Sequence, residues 1–131
     1  MEKTFVMIKP DAVKRKLVGE IIKRIEDKGL ELIKIEKTQL TSEQAKQHYA
    51  IHENKDFFED LIKFIISGPV VLLVVKGQNS VQAIRQLIGA TDPLKAVPGS
   101  IRGDFGLSIQ ENIIHGSDSF ENAKKEINFF F

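Results

Sequence analysis

The stretch "NIIHGSDS", Asn112 to Ser119, sets one imidazole between two isoleucines and a run of small polar residues. The isoleucines read as the end of a buried strand and "GSDS" as a turn entering a helix, so His115 is expected at a strand end beside a helix start. There a histidine can act as a nucleophile, because a pKa of about 6.5 leaves it mostly neutral at pH 7. It can equally be a hydrogen-bonded histidine that closes a strand. Three cations occupy comparable positions. Lys9 follows the apolar run "FVMI", Arg85 flanks a helical stripe, and Arg102 lies in the long stretch "ATDPLKAVPGSIRGDFG". Cations around an imidazole suggest phosphate: the planar arginine fork pairs bidentately with phosphate oxygens, and lysine adds a compact charge. Taken singly, Lys9 and Arg85 read as well as solvated surface cations. No glycine run matches a Walker A loop and "GSIRGDFG" has the wrong spacing for G-x-G-x-x-G, so side chains would have to hold the phosphates.

The elements that must position these groups follow from periodicity. Phe5 to Ile8 is continuously apolar and stops at Lys9 and Pro10, as a strand buried on both faces would. Val18, Ile21, Ile22 and Ile25 recur at helical spacing, with Gly29 as a C-terminal cap. "LELIKIEKT" reads as a strand. Two capping boxes, Thr41 with Gln44 and Asp56 with Glu59, open a helical region whose buried stripe is Phe58, Leu61, Ile62 and Ile65. "VVLLVVK" is the most apolar strand and is placed centrally; Asn79 or Ser80 then caps a helix carrying Val81, Ile84, Leu87 and Ile88 inward. Ala90 to Gly106 has no sustained period, and loops of this length inside a domain are usually functional or disordered; with Arg102 in it, function is favoured. After "NIIH" comes a last helix with Phe120, Ala123 and Ile127 facing inward. The expected class is α+β: a ferredoxin-like βαββαβ split sandwich, a mostly antiparallel four-stranded sheet with helices on one face.

At 131 residues, 42% hydrophobic and 28% charged, the chain is expected to form one domain over residues 1–131 with a full hydrophobic core. A net charge of +1 offers no strong field to nucleic acid or an anionic membrane, so any anion must be bound locally. Zero cysteines remove disulfides, thiol catalysis and cysteine metal sites together. "MEKTFVMIKPD" is too short an apolar run for a secretory signal and "VVLLVV" falls far below bilayer length, which leads to the expectation of a soluble cytoplasmic protein.

The segments "MIKPDAV", "LVGEIIKRIEDKG", "QHY", "FF", "SGPV", "GATDP", "PGSIRGDF" and "NIIHGSDS" together resemble the nucleoside diphosphate kinase family, from Thr4 to Phe131. The resemblance implies transfer of the terminal phosphate of a nucleoside triphosphate to a nucleoside diphosphate through a phosphohistidine at His115, on the ring nitrogen nearer the backbone. It implies that Ser117 and Glu126 form a hydrogen-bonded pair orienting the site. Lys9, Arg85, Thr91, Arg102 and Asn112 match the family's phosphate and sugar contacts, Phe57 the aromatic beneath the base, and Tyr49 a site tyrosine near Lys9. Mg²⁺ is the implied metal, reached by Asp118 through water. His48 and His52 match no catalytic role and are read as surface residues.

The competing class is a non-catalytic ferredoxin-like nucleotide- or RNA-binding module. "VVLLVVK" offers no stacking aromatics and the charge is near zero, whereas sheet-surface RNA binders need aromatics and a basic face. Phe129, Phe130 and Phe131 are three adjacent rings that one chain has difficulty burying, which predicts a homo-oligomer built from dimers. The resemblance implies a tetramer or hexamer, although the family commonly continues beyond the point matching "INFFF" with a segment used in subunit contacts.

Overall fold

Strands without polar interruption require cover on both faces, and the chain has two. The structure, a computed structural model, describes residues 1–131. It places both strands centrally: β1 (Lys3–Ile8) and β3 (Val70–Lys76) are flanked by β2 (Glu31–Thr38) and β4 (Ile114–Gly116) in the order β2-β3-β1-β4. All three neighbouring pairs are antiparallel. The helices are α1 (Pro10–Lys14), α2 (Val18–Asp27), α3 (Ser42–His48), α4 (Phe58–Ile65), α5 (Ser80–Ile88), α6 (Ile101–Phe105) and α7 (Phe120–Phe130). The path β1-α2-β2-β3-α5-β4 is the ferredoxin-like βαββαβ unit, with the other helices inserted or appended.

Strand alternation divides the interior into two layers. Val6 and Ile8 on β1 lie opposite Leu73 and Val71 on β3 and pack against Ile21 and Ile25 of α2 and Ile84 and Ile88 of α5. Phe5, Met7, Val70 and Leu72 point the other way, into a second core with Ala45 of α3 and Ile62 and Ile65 of α4, which Ile127 and Phe130 of α7 help to close. The expectation of helices on one face therefore holds for the two helices of the unit, while α3, α4 and α7 cover the second face. Continuously apolar strands demand this, since each exposed aliphatic side chain would forfeit about 1.5–3 kcal/mol. Phe5 is fully buried and stacks on Phe130 at 4.9 Å between ring centres, an arrangement that ties α7 to the sheet.

Local signals explain some element boundaries. Thr41 and Gln44 form the expected reciprocal cap, with bonds of 3.0 and 2.9 Å. Gly29, at φ +97°, closes α2 in the left-handed conformation. Three local expectations fail. Phe57, not Asp56, is the N-cap of α4, and no side chain caps it. Asn79 stands at the cap of α5 without a side-chain bond, because Glu2 fills that role from the far end of the chain, its Oε2 accepting from the Val81 N–H at 2.8 Å. Phe120 is 47% exposed, whereas Ala123 on the same helix is fully buried. The stretch Ala90–Gly106 also holds one regular element, α6, whose five residues are too few to show a period.

Candidate active site

The short strand β4 brings His115 opposite Met7 of β1, between buried Ile114 and Gly116. A Cβ at Gly116 would lie 2.7 Å from Ile88 Cδ1 and 3.0 Å from Ile84 Cγ2, so a side chain there would have to displace the α5 side chains packed on β4. The chain then turns through Ser117 and Asp118, and Ser119 caps α7 by accepting from the Asn122 N–H at 3.1 Å. Further along α7, Glu126 returns to the strand. Its two oxygens lie 3.0 and 3.2 Å from His115 Nε2, and the Ser117 hydroxyl donates to the same carboxylate. Burial alone would push the Glu126 carboxyl up, but the bonds from His115 and Ser117 hold it below the usual carboxylate range. An ionised carboxylate only accepts, so the imidazole proton sits on Nε2 and the lone pair is on Nδ1.

A second group is built on the residue after β1. Lys9 is 7% exposed and donates to Asn112 Oδ1 at 2.7 Å; Asn112 Nδ2 in turn donates to the Thr91 carbonyl at 3.2 Å. Arg102, 6% exposed on α6, spreads its fork over three carbonyls: Asn112 at 3.2 Å, Gly89 at 3.2 Å and Ile114 at 2.7 Å. Helix α6 is itself pinned by Arg24 of α2, bonded to Asp104 at 2.7 Å. Burial pushes the Lys9 ammonium down to about 8, with repulsion from Arg102 adding to the effect and Asp11 opposing it. Arg102 is pushed down to about 10 by burial and by Arg85. Neither buried cation forms a direct ion pair, and Asp11 offsets only part of the positive charge on Lys9.

Between the two groups the backbone is strained. Ile113 has φ +78°, a left-handed conformation that a β-branched residue rarely adopts. Both its polar groups are held: its N–H donates to Asp11 Oδ2 at 3.1 Å and its carbonyl accepts from the Lys9 N–H at 2.9 Å. This kink lets Asn112 face Lys9 while Ile114 enters the sheet. Asp11 is not among the residues singled out from the sequence; its only signal there is its place in "IKPD".

An open cleft of about 650 Å³ lies in front of His115, lined among others by His48, Tyr49, Arg85, Asp118 and Glu126. Arg85 donates to the Gly116 carbonyl at 3.4 Å and also borders a neighbouring cleft that reaches Thr91. Tyr49 is partly buried with its hydroxyl enclosed and unpartnered in the chain, and burial raises it well above the usual phenol range, Glu126 adding to the effect. Phe57 is 49% exposed at the start of α4, its ring 5.5 Å from that of His52. Asp118 is exposed and accepts from the Asn122 side chain.

The surface reading is overturned for His48 and holds in part for His52. The His48 side chain is only 4% exposed, stands edge-on to His115 at 5.0 Å between ring centres, and brings Nδ1 to 3.6 Å from Glu126 Oε2. Burial lowers it to about 3, with His115 adding repulsion, so it is neutral near pH 7. His52 is partly buried, lines the cleft and has Nδ1 unpartnered. A signal for His48 was present: it lies three residues after buried Ala45 on α3, on the inward face.

An antiparallel α+β sheet that presents a histidine bonded to a carboxylate, with two buried cations on the neighbouring segments, has the chemistry that phosphoryl transfer through an imidazole requires. Known proteins of similar sequence and structure agree. The family model described as nucleoside diphosphate kinase matches residues 2–131. Nucleoside diphosphate kinases of Mycolicibacterium paratuberculosis and Staphylococcus aureus are 57% and 55% identical to the chain, covering 99% and 100% of it and 96% and 88% of themselves. Among solved structures, the apo enzyme of Encephalitozoon cuniculi superposes with TM-score 0.98 at 45% identity, covering 100% of this chain and 89% of its own. That of Halobacterium salinarum in complex with CDP gives 0.97 at 47%, covering 99% and 87%. The chain belongs to the nucleoside diphosphate kinase family. Its activity is nucleoside diphosphate kinase phosphotransfer, which in this family uses a divalent metal ion. The non-catalytic binding module is not favoured.

Proposed function

We propose that His115 carries the phosphoryl group in two half-reactions. In the first, the Nδ1 lone pair attacks the terminal phosphorus of a bound nucleoside triphosphate, a phosphorus–nitrogen bond forms, the bridging phosphorus–oxygen bond breaks, and the diphosphate leaves. A second nucleoside diphosphate then takes the group back by the reverse chemistry, leaving Nδ1 free. The observation that carries this reading is the Glu126 contact to Nε2, which puts the ring proton on the far nitrogen. As positive charge develops on the phosphorylated ring, the same carboxylate stabilises it.

Charge in the transition state spreads over the equatorial phosphate oxygens, so catalysis consists of positioning and electrostatic stabilisation. Arg102 and Arg85 are assigned to the outer phosphates, Thr91 to the phosphate and sugar contacts, Lys9 with Asn112 to the sugar hydroxyls, and Tyr49 to the site near Lys9. Phe57, half exposed, is assigned to the base. The metal is assigned as Mg²⁺. One exposed carboxylate at the cleft, Asp118, fits an ion that keeps several waters and leans on substrate oxygens. When bound, it neutralises charge on the phosphates.

Residues 1–131 are read as one domain, working on nucleoside di- and triphosphates in the cytoplasm with no membrane or nucleic acid required; no helix is long and apolar enough to cross a membrane. The nucleotide assignment is supported by the CDP complex of the halophilic relative. A homo-oligomer built from dimers, tetramer or hexamer, is proposed on other grounds than the terminal rings, since Phe130 packs on Phe5 and Phe129 lines the cleft. Support comes from exposed Ile35 on the free edge strand β2 and from exposed Leu94, Val97, Leu107 and Ile109 on the loops beside α6. The test of the kinase reading is steady-state kinetics with ATP and a series of diphosphates: parallel double-reciprocal lines are expected, and intersecting lines would indicate direct transfer.

A further inference from the structure

His48 is an anomaly for a kinase site. Its side chain is 4% exposed, its Nε2 is buried without a hydrogen-bond partner, and its Nδ1 stops 3.6 Å from Glu126 Oε2, beyond hydrogen-bond reach. Buried imidazoles ordinarily satisfy at least one nitrogen. Donor atoms of His48, His115 and Glu126 all lie within 4.8 Å of one another. The two edges of this triangle that meet at Glu126 measure 3.0 Å to His115 Nε2 and 3.6 Å to His48 Nδ1. A tetrahedral zinc with bonds of about 2.0–2.1 Å needs ligand separations of about 3.3–3.4 Å, which those edges bracket.

The geometry points to a Zn²⁺ site made by His48, His115 and Glu126 that switches the enzyme off by capturing its nucleophile. Two imidazoles and one carboxylate suit zinc and disfavour Mg²⁺, which takes oxygen ligands in octahedral geometry. A water completes the tetrahedron from the cleft. The proton balance is simple. Zn²⁺ takes the Nε2 lone pair of His115 and the Nδ1 lone pair of neutral His48, whose proton is on Nε2; the proton formerly on His115 Nε2 moves through solvent to Nδ1, and each neutral ring keeps one proton throughout. Glu126 exchanges an accepted N–H for a metal bond, and Ser117 can still donate to it. Nδ1 has then lost the lone pair that attacks phosphorus. Zinc-bound protein and phosphohistidine are mutually exclusive states.

The inhibitory half rests on the phosphohistidine reading; the binding half does not, and the experiment separates them. Zn²⁺ is titrated into nucleotide-free protein by calorimetry, with millimolar Mg²⁺ present. One Zn²⁺ per chain is expected, and His48→Phe, which keeps the ring packing, should weaken it by at least about 10-fold, the lower end of what even outer contacts to a metal cost. Glu126→Gln, nearly isosteric, provides the second variant, and thermal melting verifies that both fold. Nitrogen-15 histidine NMR should show His115 metal-bound at Nε2 and protonated at Nδ1. Zn²⁺ in excess over nucleotide should then block labelling of the wild type by γ-labelled ATP, a chelator should restore it, and zinc binding without any labelling under metal-free or Mg²⁺ conditions would sink the kinase reading alone. No stoichiometric Zn²⁺ binding, or binding that neither variant weakens, would overturn the site.

Discussion

Glu126 Oε2 stands 3.0 Å from His115 Nε2, and this contact determines which end of the ring can react. A carboxylate acceptor holds the proton on Nε2, so the lone pair is on Nδ1, the nucleophile of the proposed mechanism. Glu126→Ala should therefore lower kcat with little change in KM, by up to about 100-fold if the ring loses its orientation. Single-turnover labelling from ATP measures this directly, and an unchanged rate would remove Glu126 from the mechanism.

Arg102 ties three carbonyls from two loops and β4. Arg102→Ala removes these bonds; the Asn112 carbonyl keeps the Ile114 N–H at 2.9 Å, whereas a buried acceptor left with no donor costs about 1–3 kcal/mol before relaxation. The variant should melt several degrees lower and lose roughly 10- to 1000-fold in kcat/KM. Arg102→Lys should recover little of either, because one ammonium cannot span the three directions. Calorimetry and kinetics on the pair check both halves.

Asp11 holds the left-handed backbone of Ile113 through one hydrogen bond of 3.1 Å. Asp11→Ala should destabilise by about 1–3 kcal/mol, the cost of an unsatisfied buried N–H. Asp11→Asn retains an acceptor oxygen and should cost less. A denaturant series on the two variants decides; equal losses would mean that the charge, and not the hydrogen bond, matters.

Two pH effects follow from the site. Lys9 loses its charge near pH 8, pushed down by burial and Arg102, so kcat/KM, which reports the free enzyme, should fall as pH rises through about 8. Lys9→Arg should move that limb upward, whatever its cost in rate. His48 works on stability at the other end: folded, it takes a proton only near pH 3, while unfolded histidine does so near about 6.5. Between those values the unfolded chain holds the extra proton, so this contribution is complete above about 6.5 and is lost as pH falls toward 3. His48→Phe should flatten the acid side of the stability curve relative to wild type.

The sheet and the site are legible in the sequence by different routes. Uninterrupted apolar runs are enough to place β1 and β3 at the centre, and the Thr41–Gln44 box to start α3. The same runs also imply cover on both faces, although a βαββαβ pattern alone supplies only the helices of one. Glu2 capping α5 could not be read, because that contact joins residues 79 positions apart. Lys9, Arg85, Arg102 and His115 are legible as polar residues at the ends of elements or in the loop between them, and the motif resemblance joins them and adds Asn112. His48 escapes because an imidazole beside "QHY" carries no sign of burial unless the inward face of α3 is followed from Ala45. The strain at Ile113 has no sequence signal at all, since an isoleucine is the residue type least expected there.

The most direct measurement of the central claim is incubation of the protein with γ-labelled ATP and Mg²⁺ in the absence of any diphosphate, followed by alkaline peptide mapping. The expected result is stoichiometric, acid-labile, alkali-stable label on His115 that chases quantitatively onto added GDP or a pyrimidine diphosphate, and none on His115→Ala that remains folded. Label elsewhere, or transfer from ATP to GDP by His115→Ala at near wild-type rate, would contradict it.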